Sequence, residues 1–197
     1  VHPAGRYFNN TLVRIMEARH GGTYFPAHRL DRETSGVILL AKRRDVASKI
    51  QREFGNVTKS YVAIVYGRPT EREFEVDIPI GDDPVAEIKK KRIASPGAAE
   101  RARTRFRTLF TFGDYSLVRA FPETGRLHQI RVHLLHAGHP IVGDKVYKPA
   151  DPNPADEFIA RQALHCRELR FGHPIDGRVV HITAPYPEDF ARLLETL

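Results

Sequence analysis

An aspartate set among arginines is the residue of this chain best suited to chemistry. In His28-Arg29-Leu30-Asp31-Arg32-Glu33-Thr34-Ser35-Gly36 a carboxylate follows one arginine by two residues and directly precedes another, and the segment closes on Thr-Ser-Gly. A guanidinium within a few ångströms favours the ionised carboxylate, which is then available as a nucleophile or base. Arg29 and Arg32 are too close in sequence for both to turn toward Asp31. A distant arginine is the better partner, and Arg126 and Arg131 are the candidates. The plain alternative is a turn, because Asp and Ser bond local amides and Gly supplies an unusual φ.

Three further features carry possible chemistry. Tyr61 stands near the start of Lys59-Ser-Tyr-Val-Ala-Ile-Val-Tyr-Gly67, although most strand tyrosines are core residues with a wet hydroxyl. His128, His133, His136 and His139 form a cluster. On a helix His128 and His133 point in different directions, unlike the i, i+4 pair of a zinc protease, so no metal site is expected and cleft-lining or structural roles are. Finally, Lys42-Arg43-Arg44, Lys89 to Arg92 and Arg101 to Arg107 are basic stretches. Such runs are usually solvated, but three in one small chain favour a face turned toward RNA or DNA. There is no glycine-rich phosphate loop, no Ser or Cys nucleophile elbow and no zinc finger.

Composition narrows the classes. The 197 residues, 41% of them hydrophobic, suffice for a proper core. A net charge of +7 points to a polyanionic partner. No apolar run approaches the roughly 18 residues of a spanning helix, and no leader resembles a signal peptide. Cys166 is the sole cysteine, so no internal disulfide forms; a reducing, cytoplasmic location away from membranes is expected.

These residues must be positioned by elements that the pattern predicts in order. Val1 to Tyr7 reads as loop, and Asn10 or Thr11 caps a helix through Arg19 with Leu12, Ile15 and Met16 inward, ended by Gly21-Gly22. Gly36 to Ala41 reads as a short, wholly buried strand. A second helix starts at Asp45 with Val46, Ile50 and Phe54 on one stripe and stops at Gly55. Lys59 to Gly67 is strand-like; Phe74, Val76 and Ile78 alternate with acidic residues as in a half-buried antiparallel strand. Residues 82–102 form a polar loop or short hairpin, and Arg103, Arg105 and Arg107 line one face of the next strand. Tyr115 to Phe121 is another strand. Arg126 to Gly138 is helical, with Leu127, Ile130 and Leu134 on one face. After a Pro- and Asp-rich linker at 148–157, strands at Ala163 to Phe171 and Val179 to Ala184 precede a terminal amphipathic helix from Pro187 to Leu197. The class is α+β: a mixed, largely antiparallel sheet with flanking helices.

Taken together, the chain resembles the RluA-type family of RNA pseudouridine synthases. The resemblance rests on His28 to Gly36, on Lys59 to Gly67, on Gly97 to Phe106, and on Glu123-Thr-Gly-Arg-Leu-His-Gln-Ile-Arg-Val-His133 continuing to Gly138-His-Pro-Ile-Val-Gly-Asp-Lys-Val-Tyr147. It implies a single catalytic domain over 1–197 with a cleft across the middle of its sheet, and a first strand, with or without a small RNA-binding module, upstream of Val1. It implies Asp31 as the catalytic aspartate, Tyr61 as the active-site tyrosine and Arg131 as the aspartate's partner. Arg29 corresponds to the arginine that enters the helix stack where the target base leaves; His28, Arg126 and His128, in the same motifs, are the further expected substrate contacts. The implied reaction turns uridine of ribosomal or transfer RNA into pseudouridine without cofactor or metal: the base is flipped, the N-glycosidic bond breaks, and C5 rejoins C1′. Asp31 attacks the sugar or takes its 2′ proton, and Tyr61 stacks on the uracil and is a candidate base for the C5 proton. A monomer is the default state.

Two rival readings remain. A uracil-C5 methyltransferase needs a cysteine nucleophile and a cofactor loop, and Cys166 lies mid-strand with neither nearby. A non-catalytic RNA-binding or ribosome-assembly factor on the same fold has no use for Asp31, Tyr61 and Arg131 together.

Overall fold

The computed structural model describes residues 11–86, 91–148 and 154–197. The loop assigned to Val1 to Tyr7, the lysines at 89 and 90, and residues 149–153 of the linker lie outside them. Helix α1, Leu12–His20, is capped by Thr11, whose hydroxyl accepts from the Arg14 amide, and ends at Gly21 with φ 67°. Val13 is its buried residue, whereas Ile15, expected inward, is 52% exposed. Leu12, Val13, Ile15 and Met16 spread over too wide an arc for the pattern to single out one face.

The remaining elements are β1 (Phe25–Pro26), β2 (Ser35–Gly36), β3 (Leu40–Ala41), α2 (Arg44–Arg52), β4 (Thr58–Tyr66), β5 (Glu73–Asp77), β6 (Ile80–Asp82), β7 (Arg92–Ala94), β8 (Arg103–Phe112), β9 (Tyr115–Pro122), α3 (Gln129–His136), β10 (Leu164–Gly172), β11 (Val179–Thr183) and α4 (Glu188–Thr196). Among the described residues the main sheet runs β11-β10-β4-β9-β8-β5, all antiparallel, with β2 added parallel to β10. The expected mixed, largely antiparallel α+β class is therefore what forms. β4 is central, and Val62 to Val65 are fully buried, which accounts for their unbroken apolar run. Phe190 and Leu193 of α4 and Ile130 and Leu134 of α3 enter the same core cluster. The hairpin β6–β7 fulfils the reading of 82–102 and covers a smaller cluster of Ile80, Ala102, Val132 and Tyr147.

Gly36 to Ala41 is not the single buried strand that its apolar content predicts. Only Ser35 and Gly36 pair with β10, at His165 and Cys166, before the chain leaves and returns as β3 beside β1. The reason is competition for one edge: from Glu168 onward that side of β10 is taken by β11. Gly36 (φ 112°) is required here, since a Cβ would lie 2.1 Å from the Cys166 carbonyl oxygen.

Candidate active site

Asp31 lies on the loop between β1 and β2, and chain from the far end of the sequence holds that loop. The Thr34 amide donates to the Asp31 carbonyl (3.1 Å), closing a turn. Arg161 donates to the Glu33 carbonyl (3.2 Å), Gln162 donates to the Thr34 hydroxyl (3.1 Å), and the Ser35 hydroxyl bonds His165 Nδ1 (2.9 Å). Arg161 is itself fixed by a bidentate pair with Asp189 of α4, at 2.7 and 2.8 Å. A loop tied this way presents its carboxylate with little freedom.

Arg131 of α3 reaches Asp31 through Nη1 at 3.3 Å. Its stronger commitment is to Asp144, which accepts from Nε at 2.6 Å and from Nη2 at 2.8 Å. The Asp144 side chain is fully buried and also accepts the Val146 and Tyr147 amides, both at 2.9 Å. Burial opposes the Arg131 charge, but the bonds and charge of Asp144, with the charge of Asp31, outweigh it and hold the guanidinium above its ordinary value. The Tyr147 ring lies 4.8 Å from the guanidinium carbon and completes the seat.

The wall beside this seat is a second chain of hydrogen bonds. The Arg92 amide donates to Tyr147 Oη (2.8 Å), which is in turn hydrogen-bonded to His128 Nδ1 (2.8 Å). His128, N-cap of α3, is the one non-glycine residue with positive φ (58°) among those described. Burial lowers its pKa, keeping the ring neutral. Gln129 sets the turn before it by accepting from the Thr124 hydroxyl and the Arg126 amide while donating to the Arg103 carbonyl and Thr104. Across the cavity the His28 ring stacks on Phe54 at 4.9 Å and accepts the Leu39 amide at 3.1 Å. Burial brings its pKa down to about 4. Tyr61 and Lys59 share one face of β4, and both line the cavity. Beside Tyr61 the pairing of β4 with β10 slips between Cys166 and Glu168, a bulge of the kind that re-aims side chains near active sites. Burial, then the neighbouring Cys166 and the charge of Asp31, raise the Tyr61 phenol well above its usual range. The cavity measures about 430 Å³ and is lined by Asp31, Tyr61, Arg131, His28, Arg29, Arg126 and His128 together.

The sequence profile of the RNA pseudouridylate synthase family matches residues 1–136. The chain belongs to this family. It is 42% identical over 206 residues to an uncharacterized RNA pseudouridine synthase of Chloroflexus aurantiacus, covering all of this chain and 63% of that protein. It is 36% identical over 213 residues to ribosomal large subunit pseudouridine synthase D of Nitrosomonas europaea, covering 100% and 59%. This chain thus spans about three-fifths of the length of these relatives. Among solved structures, human RNA pseudouridylate synthase domain containing 1 superposes with a TM-score of 0.77 at 28% identity, over 94% of this chain and 78% of that one.

In this pseudouridylate synthase fold the seven residues singled out from sequence converge on one cavity, but they are not equivalent. Of the two candidate arginines, Arg131 meets Asp31; Arg126 is exposed, donating to the Arg101 carbonyl at 2.9 Å and lying 3.8 Å from Glu100. Arg29 is exposed at the rim. Of the clustered histidines, His128 lines the cavity, whereas His133 and His139 serve the scaffold. His133 bonds Thr104 and the Ile78 carbonyl, and His139 bonds the Tyr66 carbonyl. Asp144, Tyr147, Gln129 and Lys59 are the site residues that sequence reasoning left without a role. For Asp144 the available signal was a carboxylate directly after the apolar Ile141-Val142-Gly143 turn, a place where burial demands a charged partner.

The basic stretches differ from expectation. Arg107 pairs with Glu73 (2.7 Å), Arg103 with Glu75 (2.8 Å) and Arg105 with Glu123 (2.9 Å), so the guanidinium row of β8 is matched by carboxylates. Arg92 is largely buried and pairs with Asp82 and Glu100, and Arg43 pairs with Asp45. Cross-strand register put acids opposite these bases; the run of charges alone did not reveal it.

Proposed function

We propose that this chain is the catalytic domain of an RNA pseudouridine synthase, an isomerase that converts uridine to pseudouridine in structured RNA. The observation carrying this reading is Asp31, held on a braced loop at the mouth of a cavity of about 430 Å³, within reach of Arg131 and beside Tyr61. That volume falls within the ~300–1,000 Å³ of small-molecule sites and accommodates a flipped nucleotide. Asp31 makes a single 3.3 Å side-chain bond to Arg131, which leaves its carboxylate able to approach the ribose, either at C1′ as nucleophile or at the 2′ proton as base. When the C1′–N1 bond breaks, the cavity walls hold the uracil until C5 faces C1′. Tyr61 enters as a neutral phenol, so it serves as a packing surface and hydrogen-bond donor. For Tyr61 to take the C5 proton its own must leave first, against the charge of Asp31.

Large-subunit ribosomal RNA is the favoured substrate class, because a relative matched along this entire chain is named for it; transfer RNA is the second. We further propose that the domain acts as a monomer, without cofactor, in the cytoplasm. Among the described residues no helix is long and apolar enough to cross a membrane. The test is tritium release from RNA labelled at uridine C5, with wild type and Asp31→Asn and no added cofactor. Release by wild type alone supports the reading. Tight RNA binding without release by wild type would replace it with that of a binding factor.

A further inference from the structure

Lys59 is an ammonium inside the cavity that no carboxylate claims. It is 7% exposed, and its Nζ sits 5.1 Å from the centre of the Phe54 ring. Among the described residues it forms neither an ion pair nor a hydrogen bond; its recorded neighbours are that ring, His28 and Cys166. Neither titratable neighbour supplies a negative charge at neutral pH. Burial pushes the Cys166 thiol up to about 11 and brings His28 down to about 4. Burial also lowers the pKa of Lys59 itself. The stem is buried while Nζ opens onto the cavity; a largely desolvated cation that faces a cavity without a counter-ion favours an anion that arrives there.

The other charges of the cavity narrow the choice of anion. Arg131 is neutralised by Asp144 and shared with Asp31, and Arg29 and Arg126 are exposed at the rim. Phosphates, which remain on the RNA backbone, fit those rim guanidiniums. The group that reaches the floor beside Tyr61 is the base. We propose that Lys59 is a catalytic residue whose ammonium donates to a uracil carbonyl oxygen and stabilises the negative charge the base acquires when its bond to ribose breaks. The electrons of the C1′–N1 bond stay with the uracil, delocalised from N1 onto its carbonyl oxygens. No proton moves to or from Lys59: the uracil anion uses its C5 electrons to bond C1′, the C5–H proton leaves to a base or water, and a proton taken up at N1 restores neutrality. A preorganised donor aimed at developing charge in a water-poor site is worth about 10²–10³ in rate.

This inference rests on the pseudouridine synthase reading. The experiment is single-turnover conversion of an RNA that the wild type modifies, with RNA affinity measured in parallel. Lys59→Met keeps the apolar stem and loses the charge. The expected result is a rate lower by about 100-fold with RNA affinity changed less than about threefold, and Lys59→Arg recovering most of the loss. In Lys59→Ala, methylammonium is expected to restore rate where tetramethylammonium, equal in charge but lacking N–H, does not. Lys59→Met with wild-type rate, or with affinity falling in step with rate, overturns the proposal. An inactive wild type would instead overturn the underlying reading of activity, and this inference with it.

Discussion

Asp144 accepts Arg131 through both Nε and Nη2, at 2.6 and 2.8 Å, closer than the 3.3 Å that separates Arg131 from Asp31. The arginine is therefore seated by a carboxylate deep in the fold and lends one remaining N–H to the carboxylate at the cavity. The three groups together carry one net negative charge, and the carboxylate at the cavity holds the weaker bond.

Removing the seat is expected to be costly. Asp144→Ala leaves a buried guanidinium and two backbone amides without their acceptor, and should destabilise the protein by about 3–5 kcal/mol in urea unfolding. A loss under about 1 kcal/mol would mean that Arg131 finds another partner.

Asp31→Asn should behave oppositely. Its 3.3 Å bond is long and its side chain partly open, so unfolding free energy should change by about 1 kcal/mol or less while turnover disappears. Normal tritium release by this variant would remove Asp31 from the chemistry.

Acid should weaken the fold through His28. Above pH 6.5 the ring is neutral in both folded and unfolded chains. Between 6.5 and about 4 the unfolded chain binds a proton that the folded one refuses, so stability falls as pH falls, by up to about 3 kcal/mol across the window. Melting temperatures from pH 7 to pH 4.5 should show this, with a shallower slope for His28→Gln. An identical slope would assign the acid sensitivity to other groups.

RNA affinity should distinguish rim from ladder. Arg29→Gln is expected to reduce the slope of log affinity against log salt by about 0.7–0.9, the value of one lost phosphate contact. Arg107→Gln, whose guanidinium already meets Glu73 at 2.7 Å, should leave the slope unchanged.

Much of this was legible in residues. The alternation on β5 and β8, the unbroken apolar run of β4 and the proline-led terminal helix each predict their element, because local periodicity reflects which face is buried. That Asp31, Tyr61 and Arg131 would meet at one cavity was legible through their motifs. What local pattern cannot contain is competition between distant segments. The truncation of β2 depends on β11 occupying the same edge of β10, and the seat of Arg131 depends on Asp144, 13 residues further along. The arginine row misled for the same reason, since Glu73, Glu75 and Glu123 become its neighbours only once the strands pair.

The bracing of the Asp31 loop by residues 128–130 positions away gives the candidate site a place in time as well as in space. During synthesis Asp31 leaves the ribosome well before the strand and side chains that fix its loop, which lie 128–130 positions further along the chain from the loop residues they hold. A nascent or prematurely terminated product thus carries Asp31 without the means to aim it. The Asp31 loop is thus fixed only once residues 161–165 have been made.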